Sequence, residues 1–453
     1  MYQRSLFIFR RDLRLQDNTA LIRALASSRD VCTAFIFDPR QCEPHDHFSP
    51  NAFQFLGESL DDLSLQVEAQ GGKLSRFYGQ ADEVVAALLR AGKFDAVYIN
   101  KDYTPFSRTR DAAIKKVCRE HGIAFEEHDD ALLCPPGSVM KEGGGPYAVF
   151  TPFYKKAAAV PIIVGTRTKL RGNSVIQEIR KELPVNFVHV PVANYSNKNI
   201  AVRGGRKEAM KLLAKLKGLR NYARDRDIPA LDATSHLSAH LKFGTVSARE
   251  VYHAAVRALG PRHPVLEQLY WRDFFVHVGY YYPHVFGGCF YDEYDAIRWP
   301  NDRKAFACWC EGRTGVPIVD AGMRALNTTG FMHNRVRMIT ASYLVKDLHV
   351  DWRWGERYFA TRLVDYDPAV NNGNWQWVAS TGCDHQPYFR VFNPWLQQKR
   401  FDPDGAYVRR WVPELKDATP QHIYNLGPKS LHSDAAAWVK EVFKDASRRG
   451  KMI

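Results

Sequence analysis

The first 130 residues alternate short apolar runs with longer amphipathic stretches, and this rhythm limits the possible folds more than any other feature. SLFIF (5–9), VCTAFIFD (31–38) and DAVYIN (95–100) are rich in β-branched and aromatic residues. Between them, NAFQFLGESLDDLSLQVEAQ (51–70) and ADEVVAALLRAG (81–92) carry helical periodicity. Strands that are apolar throughout and separated by helices predict a doubly wound parallel sheet, with any ligand at the carboxyl ends of its strands.

Beyond residue 130 the rhythm changes. Periodicity fades from 131 to 205, where KEGGGPYAVFTPFYKK and VGTRTKLRGNS suit a connector running over the surface, packed in part. From 206 onward helical patterns dominate, in RKEAMKLLAKLKGLRNYARDR, SAREVYHAAVRAL, HPVLEQLYWRDFFVHVGYYY, GVPIVDAGMRALNTTG and NRVRMITASYLVKDLHV. The expected architecture is an α/β domain over 1–130, a connector over 131–205 and an all-α domain over 206–453. No internal repeat is visible. The helix-like DAAAWVKEVFKDASRR near the end is read as leaving no room for a long C-terminal extension.

A chain of 453 residues exceeds one ordinary core, and 63 Lys and Arg against 49 Asp and Glu give a net charge of +14. That balance favours an anionic partner, nucleic acid ahead of membrane, although a merely solvated basic surface would give the same count. MYQR leads directly into SLFIF and then RRDLR, which argues against a secretory signal. No apolar run approaches the roughly 20 residues of a membrane span. A soluble, monomeric protein of the cytoplasm or nucleoid is expected. The eight cysteines form no C-x-x-C pair and no metal-ligand spacing, so they read as reduced thiols and no metal is expected.

Chemistry concentrates in DYDPAVNNGNWQWVASTGCDHQPYFRVFNP (365–394), which is too polar and too aromatic for an ordinary core and suits something planar and polar. Upstream, TSHLS (234–238) packs three hydroxyls into five residues, LYWRDFF (269–275) sets Trp beside Arg, and FMHNRVRM (331–338) mixes Asn and Arg with apolar residues. Taken with FIFRRDLRLQDNTAL (7–21) and WVPEL (411–415), these motifs resemble the photolyase/cryptochrome family over nearly the whole chain. Its members are flavoproteins that use blue light to repair pyrimidine photoproducts in DNA or to signal. The resemblance is closest to the class I-like cyclobutane pyrimidine dimer photolyases.

The resemblance implies FAD held by Tyr222, Thr234, Ser235, Leu237, Ser238 and Arg272. Arg337 and Asp365 would pair beside the flavin ring, with Asp367 as a second acid and Asn371 facing flavin N5. Read without it, the hydroxyls suit a helix N-cap and the Arg and Asp a structural salt bridge. Trp375, Trp352 and Trp299 would form a chain running from beside the flavin to the surface and relay electrons to the flavin, whereas isolated tryptophans are ordinary core residues. Trp271 and Trp377 would wall the pocket for a flipped dimer, Gln268, Asn334 and Met338 would line it, and Arg226, Arg335 and Arg390 would meet the DNA backbone.

The implied enzyme is a deoxyribodipyrimidine photo-lyase, a carbon–carbon lyase in which excited reduced FAD lends one electron to a cyclobutane dimer. The (6-4) enzymes of the family place His at positions matching Asn334 and Met338, which weighs against that substrate. Gln268 departs from the acid usual in dimer-splitting members and is what cryptochromes and (6-4) enzymes carry; Glu267, about 100° around a helix, is a poor substitute. A light sensor without repair therefore stays open, as does a (6-4) photolyase. NKDYTPFSRTRD (100–111) and LKFG (241–244) resemble the subgroup binding an 8-hydroxy-5-deazaflavin antenna rather than folate, implying contacts from Arg10, Asp102 and Lys242. An ordinary surface loop is the alternative.

Overall fold

The computed structural model describes residues 1–92, 94–165, 195–384, 387 and 391–450. Its N-terminal part is a five-stranded parallel sheet in the order β3-β2-β1-β4-β5, formed by β1 (Tyr2–Phe9), β2 (Ser28–Phe37), β3 (Leu74–Tyr78), β4 (Ala96–Asn100) and β5 (Ala124–His128). Besides a single turn over Pro39–Cys42, four longer helices connect them: α1 (Thr19–Ser27), α2 (Pro50–Glu68), α3 (Ala81–Gly92) and α4 (Pro105–Glu120). Alternation along β1 shows why both faces must be covered. Leu6 and Ile8 enter a core with Phe77, Val85 and Ile114, while Phe7 and Phe9 enter another with Leu21, Phe35 and Phe55.

The sheet has two strands more than the apolar runs indicate. β3 and β5 are its edges; β3 carries Arg76, and β5, AFEEH, is polar and half-exposed, so neither has the continuous apolar signature of an interior strand. The strand order reverses between β1 and β4. There Asn100, ending β4, donates through Nδ2 to Asp12 Oδ2 at 2.5 Å and to Asn18 Oδ1 at 2.8 Å, closing the inner end of the crevice.

The chain then becomes helical. The elements that matter below are α5 (Phe150–Ala157), α6 (Ser238–Phe243), α7 (Ala248–Leu259), α8 (Pro264–Tyr281), α9 (Pro317–Thr329), α10 (Asn334–Ser342), α11 (Trp352–Arg362), α12 (Pro368–Ala379) and α13 (Lys429–Gly450). Two stretches read as single helices are interrupted. RKEAMKLLAKLKGLRNYARDR tightens into a 3₁₀ turn over Lys215–Leu219, around Gly218, and α10 passes into a π-helical turn over Tyr343–Asp347. Packed parts of the connector include α5, whose Phe150 and Phe153 are buried, and the buried Leu133, Cys134, Val139, Ile200 and Val202; 166–194 lie outside the described residues.

The sheet and the helices meet through buried charge. Arg14 pairs with Asp130 at 2.6 Å, and Arg249 pairs with both Asp17 at 2.9 Å and Asp130 at 2.8 Å, so two cations and two anions neutralise one another out of water. Beside them, Leu13 N donates to Phe243 O at 3.1 Å. Gly244, at φ +67°, ends α6 so close to the loop after β1 that a Cβ would collide with the Arg11 carbonyl. No helix among the described residues is long and apolar enough to cross a membrane.

Candidate functional site

A cavity of about 530 Å³ opens between the loop before α6 and the helices α8, α10 and α12, a size suited to a cofactor. Helical spacing explains its walls. Gln268, Trp271 and Arg272 fall on one face of α8, Asn334, Arg337 and Met338 on one face of α10, and Asn371, Asn374, Trp375 and Val378 on one face of α12. Thr234, Ser235, Leu237 and Ser238 also line it, with Tyr222 and Arg226. Every residue expected at the flavin or the lesion borders this one space, apart from those that follow.

Trp375 borders the cavity, whereas Trp352 and Trp299 are not among the residues that line it. Trp375 and Trp352 are buried, whereas Trp299 is half-buried. The Trp375 ring occupies the place a Cβ on Gly355 would take and lies 5.0 Å from Phe359 and 6.2 Å from Trp309 between centroids. Arg390 is outside the described residues. Arg10 and Asp102 lie beyond the cavity wall, whereas Lys242, expected at the antenna, also lines the cavity.

Arg337 Nη2 donates to both oxygens of Asp365, at 2.9 and 3.1 Å, and its Nε donates to Met332 O at 2.7 Å, so the guanidinium is fixed in place. Asp367 caps α12, accepting from Ala369 N and Val370 N, and forms an ion pair with Arg11 from the sheet domain. Burial would push the Asp367 carboxyl up, but Arg11, Lys242 and Arg272 outweigh it and hold it below the usual range. Arg272 borders the cavity while bracing the chain, donating to Ala131 O at 2.8 Å and Leu241 O at 3.3 Å.

Asn371 donates through Nδ2 to Glu356 Oε1 at 2.8 Å. Burial pushes the Glu356 carboxyl up to about 7, against the opposing hydrogen bond from Asn371. Trp271 stacks on Phe150 with centroids 3.6 Å apart, Gln268 makes only a long bond to Pro264 O at 3.4 Å among the described residues, and Asn334 is exposed. Arg335 is paired with Asp227 at 2.9 Å and lies over Phe401, and Arg226 lies over the Tyr222 ring.

At the carboxyl ends of β1 and β4, Arg11 joins the two halves of the molecule. It pairs with Asp102 at 3.1 Å and with Asp367, and its Nε donates to Lys242 O at 3.1 Å. Arg10 pairs with Asp111, and one terminal nitrogen on each of Arg10 and Arg110 is buried with no partner among the described residues. Burial, then Arg11, lower the Lys242 ammonium to about 8. Sequence reasoning passed over Arg11, Glu356 and Phe150. Arg11 carried a signal, since RRDLR follows β1 directly; nothing local marks Glu356, which tertiary packing alone makes special.

Two family models match the chain, one described as DNA photolyase over residues 5–168 and one as the FAD binding domain of DNA photolyase over 265–445. A deoxyribodipyrimidine photo-lyase of Vibrio cholerae is 39% identical over 436 residues, covering 92% of this chain and 91% of that one. The chain belongs to the DNA photolyase family. The curated relatives it matches carry the name expected for an enzyme of this class. An archaeal photolyase from Sulfolobus tokodaii, solved with two FAD molecules and described as implying a novel light-harvesting cofactor, superposes with a TM-score of 0.86 at 42% identity, covering 98% of this chain and all of that one. A Synechocystis cryptochrome gives a TM-score of 0.84 at 28% identity, covering 94% of this chain and 92% of that one. The photolyase family thus accounts for both the sheet and the helical part, and FAD is its cofactor in the helical part.

Proposed function

We propose that this photolyase family member splits cyclobutane pyrimidine dimers in DNA by light-driven electron transfer. The observation carrying this reading is that one cavity combines two chemistries. It is bordered by the Arg337–Asp365 pair, Asn371 and the Thr234, Ser235 and Ser238 hydroxyls, and also by Trp271, Trp377, Gln268, Asn334 and Met338. The first set of donors and charges suits a dinucleotide, with hydroxyls for phosphate and Asn371 for the ring edge. When bound, excited reduced FAD would supply one electron to the dimer and recover it after the ring opens.

On this reading Trp271, backed by Phe150, and Trp377 hold the extruded dimer by its apolar faces. The Gln268 amide donates to a pyrimidine carbonyl. Arg226, Arg335 and Arg390 meet phosphates, and Trp375, Trp352 and Trp299 pass electrons inward. Residues 1–130, 131–205 and 206–453 form an antenna domain, a connector and a catalytic domain. Arg10, Asp102 and Lys242 contact an antenna of the 8-hydroxy-5-deazaflavin type. The two FAD molecules of the Sulfolobus tokodaii relative make a second flavin the competing antenna, which the absorption spectrum of the extracted chromophore would distinguish.

Reduced protein is mixed with single- and double-stranded DNA containing one thymine dimer, illuminated with blue light, and scored for restored thymines against a dark control. Restoration in the light alone is expected. Intact dimers with fully reduced, bound FAD would favour a light sensor, the reading that Gln268 and the cryptochrome neighbour support.

A further inference from the structure

α13 brings one more tryptophan to the outer end of the proposed relay. The Trp438 ring lies 5.7 Å from Trp299 between centroids, with planes inclined by 48°, and stacks on His349 at 3.9 Å and 21°. His349 sits at φ +53°, an uncommon backbone for a bulky side chain, and its carbonyl accepts from Asn301 N, two residues beyond Trp299. The helix is fastened on either side of Trp438. His432 Nδ1 pairs with Asp347 at 2.6 Å, and Phe443 packs 5.0 Å from Tyr294 and under the Lys346 ammonium at 4.6 Å. Trp299 and Trp438 are both half-buried, so each ring is held by packing on one side and reached by water on another.

We infer that Trp438 is the terminal electron donor of the relay, one step beyond Trp299. The inference rests on the relay reading above, and extends it with a residue outside the family motifs in this sequence. Excited oxidised flavin is the oxidant: it takes one electron from Trp375, and the vacancy passes through Trp352 to Trp299. Trp438 then gives one electron to Trp299 and releases its Nε1 proton to water, while the transferred electron stays on the flavin. A small thiol in solution later returns an electron, and water a proton, to the Trp438 radical. Donor and acceptor in this step are the same indole, so the electron step itself is close to neutral in energy, and loss of the Trp438 proton to water holds the vacancy there. Moving the vacancy onto α13 lengthens the path for electron return, which keeps the flavin reduced for longer.

A purely structural Trp438 would only anchor α13, and a phenylalanine could do that. The test uses holoprotein carrying oxidised flavin, comparing wild type with Trp438→Phe, Trp438→Tyr and Trp375→Phe by transient absorption and pulsed EPR. Expected are a radical pair in Trp438→Phe with a lifetime several-fold shorter and a shorter spin–spin distance than wild type, and partial recovery in Trp438→Tyr, whose phenol can be oxidised as it loses its proton. The dark near-UV circular dichroism should show an indole couplet that Trp438→Phe removes without changing the melting temperature. Wild-type lifetime and distance in Trp438→Phe, or no couplet to remove, would overturn the inference. A radical pair persisting in Trp375→Phe would instead overturn the relay beneath it.

Discussion

At the residue scale, the charges in the cavity are paired so that removing one member strands the other. Asp365 is buried, and Arg337 is its cationic partner at 2.9 Å. Arg337→Met should leave an uncompensated carboxylate and weaken FAD binding by at least about tenfold, roughly 1.4 kcal/mol, as read from flavin fluorescence during titration. Glu356 presents the opposite problem, a carboxyl that burial keeps neutral up to about pH 7, above its ordinary value. Because the folded state binds this proton more tightly than the unfolded chain, its contribution is complete below the unfolded value and declines as pH rises through 7. Relative to Glu356→Gln, wild-type stability should therefore fall by roughly 3 kcal/mol between about pH 4.5 and 7.5, with thermal melts across that range as the measurement. Parallel pH profiles for the two proteins would mean that water reaches Glu356 and screens its charge.

At the scale of elements, the interior strands were legible because β1, β2 and β4 are buried on both faces and read as unbroken apolar runs. β3 and β5 escaped because an edge strand needs no such run, and the break near Gly218 escaped because apolar spacing says little about where a helix bends. Among the candidate residues, those sharing a helix face could be grouped from spacing alone: Gln268, Trp271 and Arg272, or Asn371 and Trp375. That these faces surround a single space needed the family motifs, and then the fold. LKFG shows the same division. Gly244 looks like a simple helix stop, yet its lack of a side chain also lets α6 rest against the Arg11 backbone. Gly244→Ala combines a positive φ with that collision and should cost about 2 kcal/mol or more in urea unfolding, well above the ordinary penalty for alanine at a helix C-cap.

For the molecule as a whole, the +14 charge indicated an anionic partner but could not place the charge, because many arginines are already occupied. Arg14 and Arg249 are buried against Asp17 and Asp130, and Arg11 is shared between Asp102 and Asp367, so these cations join domains and leave little for a ligand outside. The candidates for phosphate contact are accordingly fewer than the count suggests. Arg226 rests on the Tyr222 ring with no carboxylate partner among the described residues, whereas Arg335 has Asp227 at 2.9 Å. Each phosphate neutralised by a free cation adds about one to the slope of log affinity against log salt, because one condensed counterion is released. Arg226→Ala should therefore reduce that slope by about one and weaken damaged and undamaged DNA alike. Arg335→Ala should reduce it by less, since the arginine must first give up its bond to Asp227. Titrations of dimer-containing and intact duplex across a salt series would decide; an equal drop for both variants would mean that DNA opens the Arg335–Asp227 pair, making the interface one that rearranges on binding.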